Sequence, residues 1–210
     1  NSLMYMEIKR SIKPVKYYEA INYLEKRVNQ LIHNNQKKEL IWFLQHPPTF
    51  TGGSNYKNSD ILDKSIKIIK SSRGGKITWH GPGQLICYFA IDLNKRKKDI
   101  RYFIKIIERS IIKTLNEFNI NAVADRKNVG IWHKTKKQNN KVAAIGIRVK
   151  RWVAYHGFSI NINNDLNQYK KIIPCGIRNK GVTNLICIRN QNYKTISIIL
   201  EKYLIKYLKI

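Results

Sequence analysis

Residues 73–84 read RGGKITWHGPGQ, and this stretch limits the fold more than any other in the chain. Residues 76–79 alternate polar with apolar side chains, which predicts a short strand. His80 then meets Gly81-Pro82-Gly83, a turn that neither a helix nor a central strand tolerates. Residues 85–93 (LICYFAIDL) are almost continuously apolar, as a strand buried on both faces would be. The chain therefore predicts a glycine-rich, histidine-bearing loop held between two strands. At Gly74-Gly75 the backbone can lie close to a ligand, because no Cβ intervenes. A plain tight hairpin with a satisfied histidine meets the same pattern, so residue chemistry alone leaves both readings open.

The rest of the chain is read around that loop. Residues 14–33 predict a helix, with Pro14 in its first turn and Val15, Tyr18, Ile21, Leu24, Val28 and Leu31 on one face. Residues 39–45 read as a core strand running into a long loop, HPPTFTGGSN, and residues 66–69 as another strand. Residues 99–118 carry the clearest helical period, through Ile100, Phe103, Ile104, Ile107, Ile111, Leu115 and Phe118, with Asp99 as N-cap and Asn119 as the stop. Strands are expected over 120–124, 129–133, 141–149 and 152–162, with 134–140 (KTKKQNN) as an exposed hairpin loop. Gly157, in the middle of the last, suggests a bulge or a close approach of backbone to ligand. Residues 195–207 form a C-terminal amphipathic helix. Helices that punctuate many hairpin-linked strands predict an α+β domain on a mixed or mostly antiparallel sheet flanked by helices, one domain over residues 1–210.

Composition narrows the class. Hydrophobic residues at 43% of 210 support a packed core and argue against disorder. No apolar run is long enough to span a bilayer, and no secretory signal opens the chain. Cytoplasmic action is expected, or organellar action if a leader precedes Asn1, which is not a Met. Lys and Arg number 40 against 13 Asp and Glu, a net charge of +27. The basic residues are scattered rather than gathered into one aromatic-interleaved stripe. That favours coding bias towards Lys, Ile and Asn, with steering of an acidic partner as a use for the field.

Three cysteines at no metal-binding spacing argue against a disulfide framework or structural zinc, and for a reducing compartment. Cys87 and Cys187 sit in apolar runs and read as buried small hydrophobes. Cys175 differs: in residues 172–177 (IIPCGI) a short apolar strand runs into a Pro-Cys-Gly turn. The thiol would stand at a strand end, with the Gly176 N–H free to face an oxyanion. Lys141 opens KVAAIG, where Ala143, Ala144, Ile145 and Gly146 let something approach closely. It reads equally as a solvated lysine at a strand start or, if buried, as a general base.

Taken together, HPPTFTGGSN (46–55), RGGKITWHGPGQ (73–84), VGIW (129–132), KVAAIGIRVKRWVAYHGFSIN (141–161), IIPCGI (172–177) and GVTNL (181–185) resemble, in order, the octanoyltransferases of lipoate synthesis. The resemblance covers nearly the whole chain and implies the fold of biotin and lipoate protein ligase catalytic domains. It implies a Cys–Lys dyad, Cys175 in PCG with Lys141 in KxAAIG as general acid and base. It also implies an acyl site from Arg73, Gly74, Gly75, Lys76, Thr78, Trp79, His80, Gly81 and Gly83, the KVAAIG residues, His156, Gly157 and Phe158 of the YHG motif, and Gly176. Trp79 stands where the family has Tyr, Ser159 where it has Ala, and Asn184 where it has Ser, and Trp79 would reshape the acyl pocket.

The implied reaction moves an octanoyl group from octanoyl-acyl carrier protein to the target lysine of a lipoyl domain, in 2-oxoacid dehydrogenase complexes or the glycine cleavage H protein. A thioester donor is isoenergetic with an acyl-cysteine, so neither ATP nor a metal is implied, and the enzyme would act as a monomer. The nearest alternative is an ATP-dependent lipoate or biotin ligase on the same fold. A cysteine octanoyltransferase of the amidotransferase type fits the motifs less well. A nucleic-acid-binding module would explain the charge but not the Cys/Lys/His-Gly constellation.

Overall fold

The computed structural model describes residues 5–34, 36–174 and 181–209. Its elements are β1 (Met6–Arg10), α1 (Tyr17–His33), β2 (Glu39–Leu44), β3 (Thr49–Gly52), β4 (Ile68–Lys70), β5 (Ile77–His80), β6 (Gln84–Asp92), α2 (Ile100–Glu117), β7 (Val123–Ala124), β8 (Ile131–Lys134), β9 (Asn139–Lys150), β10 (Val153–Asn161), β11 (Gly181–Val182), α3 (Leu185–Ile188) and α4 (Ile196–Leu208). The main sheet runs β1-β2-β6-β10-β9-β8-β7, with β11 added beside β9. Among the described residues the parallel pairs of this sheet are β1–β2 and β9–β11. A second sheet of three strands has the order β4-β3-β5.

β6 sits inside the main sheet between β2 and β10 and is buried along its whole length. Its side chains alternate between two cores, as strand geometry requires. Leu85, Cys87, Phe89 and Ile91 join the core with α2 and α4, while Ile86, Tyr88 and Ala90 join the core under α1. That double burial is why residues 85–93 carry almost no polar alternation. The Asp99 side chain accepts from the Tyr102 N–H and starts α2, and Asn119, at φ 58°, follows its end.

Several expectations shift. α1 begins at Tyr17, so Pro14 lies outside it, and the helix buries Tyr17 and Ala20 where Tyr18, 71% exposed, had been expected. The HPPTFTGG loop contains β3, which Pro47 and Pro48 hide from a sequence reading but which β4 and β5 recruit. The strand expected over 120–124 shortens to β7, and residues 172–174 form one isolated bridge, Ile172 to Ile61, instead of a strand. Cys87 is buried, but Cys187 is exposed, because LICI forms the short α3 capped by the Asn184 side chain. β5 and β6 are not a hairpin: β5 pairs with β3, β6 with β2 and β10, and Gly81-Pro82-Gly83 carries the chain between the two sheets. Among the described residues no helix is long and apolar enough to cross a membrane.

Candidate active site

The small sheet stands over the α1 face of the main sheet, and the 73–76 loop folds against β9. Arg73 holds that loop. Its guanidinium donates to the Gly74, Thr51 and Lys76 carbonyl oxygens at 2.8–3.0 Å and to Thr51 Oγ1 at 2.9 Å. Backbone bonds from Gly53 N to Lys76 O and from Asn55 N to Gly75 O lock the loop to the end of β3. The loop then meets β9 at glycine: a Cβ on Gly146 would lie 3.0 Å from the Gly74 oxygen, and one on Gly74 would lie 2.9 Å from the Ile147 oxygen. Both positions therefore need glycine for closeness of approach.

Between the loop, β5 and the central strands lies a narrow cavity of about 50 Å³. Arg73, Gly74, Gly75, Lys76, Thr78, His80, Ala144, Ile145, Gly146, His156, Gly157 and Phe158 line it. Ile86, Tyr88 and Ser159 complete the wall, and sequence reasoning had not assigned them. A 2-residue alternation along β6 and β10 could have found them, once Gly157 was known to face the loop. The same alternation removes Trp79: Thr78 and His80 face the cavity, while Ile77 and Trp79 face the opposite side and pack with Tyr169 and Ile172. Gly81 leaves room for the Trp79 ring, and Gly83, at φ 85°, abuts Asn163 and Asn164, so both serve the corner between the sheets. Ala143 is buried in the α2 core. A larger open depression of about 770 Å³ surrounds the Arg96–Glu39 ion pair, and none of the motif residues lines it.

Burial disfavours the charged form of two histidines here, His80 and His46. His80 Nδ1 lies 2.8 Å from Gln84 Oε1, and the Gln84 amide nitrogen donates to Asn161 Oδ1 and Tyr169 OH. The amide oxygen must then accept, so Nδ1 carries the His80 proton. Thr51 Oγ1 already accepts from Arg73, so its own proton points to His80 Nε2 at 3.4 Å. Burial pushes the His80 pKa down to about 3, with the nearby His46 and Arg73 adding to the shift. His46 donates from Nδ1 to the Val15 carbonyl at 2.6 Å and accepts at Nε2 from Tyr88 OH at 2.7 Å, and burial lowers its pKa to about 4. Both rings are fully engaged, so His80 and His46 brace the cavity rather than move protons.

Lys141 lies on β9 outside this cavity. It is only 6% exposed, and its Nζ sits 5.0 Å from the centre of the Trp132 ring. Gly130, at φ 136°, gives its side chain space. Beside it, Gly181 and Val182 pair with Asn140 and Lys141, and Thr183 N donates to the Lys141 carbonyl at 2.9 Å. Cys175 and Gly176 lie outside the described residues. Among the described residues no group of His, Cys, Asp or Glu could hold a metal.

Comparison with known proteins places this arrangement. The family model of the lipoyl protein ligase A/B catalytic domain matches residues 16–200. An octanoyltransferase of Wolbachia pipientis wMel is 44% identical over 172 residues, covering 81% of this chain and 83% of that protein. One of Wolbachia sp. subsp. Brugia malayi is 42% identical over 172 residues, with the same coverage.

This chain belongs to the octanoyltransferase family.

It is an acyltransferase on a lipoate-ligase-like fold. A bi-partite lipoate protein ligase from Thermoplasma acidophilum superposes with a TM-score of 0.77 over 99% of this chain and 85% of its own, at 13% identity. A lipoate-protein ligase A bound with ATP superposes at 0.76, over 99% and 87%, at 14% identity. At those identities the likeness concerns the fold alone.

Proposed function

We propose that this enzyme transfers an octanoyl group from octanoyl-acyl carrier protein to the target lysine of a lipoyl domain, through a thioester on Cys175. The observation that carries the reading is the setting of Lys141. It is nearly buried against Trp132, and it pairs with Val182, just past the segment that bears the Pro-Cys-Gly motif. The narrow apolar cavity beyond it suits an unbranched acyl chain.

In the first half-reaction the Cys175 thiolate attacks the thioester carbonyl carbon. The bond to the phosphopantetheine sulfur breaks, and the Lys141 ammonium protonates the leaving thiolate. An adjacent ammonium also favours the thiolate, since a free cysteine titrates near roughly 8.5. In the second half-reaction the amine of the target lysine attacks the acyl-Cys175 carbonyl. Lys141, now neutral, accepts the amine's proton as the amide forms, and Cys175 leaves as thiolate. The Gly176 N–H serves the oxyanion in both steps. The cycle closes with every proton returned and needs neither ATP nor metal. The enzyme works as a monomer in the cytoplasm, and the +27 charge assists encounter with acidic carrier and lipoyl domains.

Intact mass after mixing with octanoyl-acyl carrier protein, without ATP, tests the reading. A hydroxylamine-sensitive octanoyl adduct is expected, absent from Cys175→Ser and chased onto a lipoyl domain. Modification that needs ATP and free octanoate, with no adduct, would overturn it in favour of a ligase.

A further inference from the structure

Successive side chains of a strand point to opposite faces. Tyr155 and His156 do not: their rings stack at 4.7 Å, 21° apart, on one side of β10. The cause is backbone. His156 has φ 67° and Gly157 φ 153°, so the imidazole swings onto the face that Gly157 leaves bare. A Cβ on Gly157 would overlap the Cys87 carbonyl of β6, so the neighbouring strand keeps that position empty. A non-glycine residue in the left-handed region costs about 1–3 kcal/mol and points to a function.

The registers show where the ring has been put. Ile86, Ser159 and Ala144 stand level across β6, β10 and β9, and Tyr88, Gly157 and Gly146 form the next level along. Both levels line the cavity. The following level, Ala90, Tyr155 and Arg148, does not. Lys141 lies towards the opposite end of β9. A chain that enters from Lys141 therefore runs past Ala144 to Gly146 and meets His156, backed by Tyr155. Ser72 Oγ holds the ring at Nε2, 3.0 Å away, and Nδ1 is buried with no hydrogen-bond partner. A chain that went further would have to displace the ring and break its contact with Ser72.

We infer that His156 is the end stop of the acyl cavity and determines the longest chain the enzyme accepts. This rests on the reading of that cavity as the acyl site.

The test measures acyl-enzyme formation from hexanoyl-, octanoyl-, decanoyl- and dodecanoyl-acyl carrier protein by intact mass, for the wild type, His156→Gly and His156→Asn. Glycine removes the ring and accepts the left-handed backbone; asparagine keeps that backbone and a polar atom but is shorter. In His156→Gly the decanoyl-to-octanoyl rate ratio should rise about tenfold or more, the scale on which hydrophobic pockets discriminate methylenes. His156→Asn should fall between. A proportional loss for every chain length, or an unchanged ratio, would overturn the inference and leave His156 a structural residue. If no donor acylates the wild type, the transfer reading fails by itself. The stop is then judged by displacement of a fluorescent fatty acid with hexanoate through dodecanoate, where the same shift towards longer chains must appear or the inference falls.

Discussion

The Lys141 ammonium lies over the Trp132 ring, 5.0 Å from its centre, on a side chain that is 6% exposed. Packing and charge can be separated there. Lys141→Met keeps the stem on the indole and removes the ammonium. Octanoyl transfer should fall by about 10²–10⁴, the usual yield of a general acid–base group. The midpoint of thermal unfolding should move little, because an exposed-to-buried cation–π contact is worth only about 0.5–2 kcal/mol. Equal losses of activity and folded protein would remove Lys141 from the chemistry.

Arg73 closes its own loop with four acceptors on three residues. A lysine has the charge but not the fork. Arg73→Lys should cost about 2–3 kcal/mol, which for a chain of this size is a fall of about 5–10 °C in thermal midpoint. The apparent KM for the acyl donor should rise as the cavity roof loosens. Calorimetry with steady-state kinetics checks both.

His46, His80 and His156 carry an acid sensitivity. Their pKa values in the folded protein are lowered from 6.5 to about 4, 3 and 3, in each case chiefly by burial. Between those values and 6.5 the unfolded chain binds the additional protons, so stability rises with pH. The stabilisation is complete above about pH 6.5 and is lost as pH falls, down to about 4 for His46 and about 3 for His80 and His156. Each histidine contributes a slope of about 1.4 kcal/mol per pH unit. Urea midpoints from pH 8 to pH 4 should show this loss, and His80→Gln should flatten the slope. A slope unchanged in the variant would refute the assignment.

Gly157 faces the Cys87 carbonyl too closely for any side chain, at a φ that L residues rarely adopt. Gly157→Ala should destabilise the fold by at least about 3 kcal/mol, since β6 and β10 must part to admit the methyl. Denaturant midpoints measure it. A variant with near-native stability would mean that the two central strands can separate locally without cost.

Much of this was readable in the chain. The capped period of α2, the doubly buried β6 and the glycine at the approach to β9 are local facts: an N-cap, a run without polar alternation, and positions where a Cβ has no room. The cavity-facing members of RGGKITWHGPGQ and KVAAIG follow from those motifs. What failed was decided at a distance. β3 exists because β4 and β5 offer it partners, and Pro47-Pro48 just before it conceals it. Cys187, expected to be a buried small hydrophobe, is exposed because Asn184 caps a helical turn over Leu185–Ile188.

The amino-acid sequence by itself determined the family, the glycine loop and the chemistry-bearing residue types, because these depend on side-chain identity and on conformations only particular residues adopt. Which way each side chain faces was settled only in three dimensions. His156 turns into the cavity, against the alternation of its strand, because strand pairing and the crowding of Gly157 by Cys87 set the backbone there. Those contacts join residues far apart in the chain, and no local pattern encodes them.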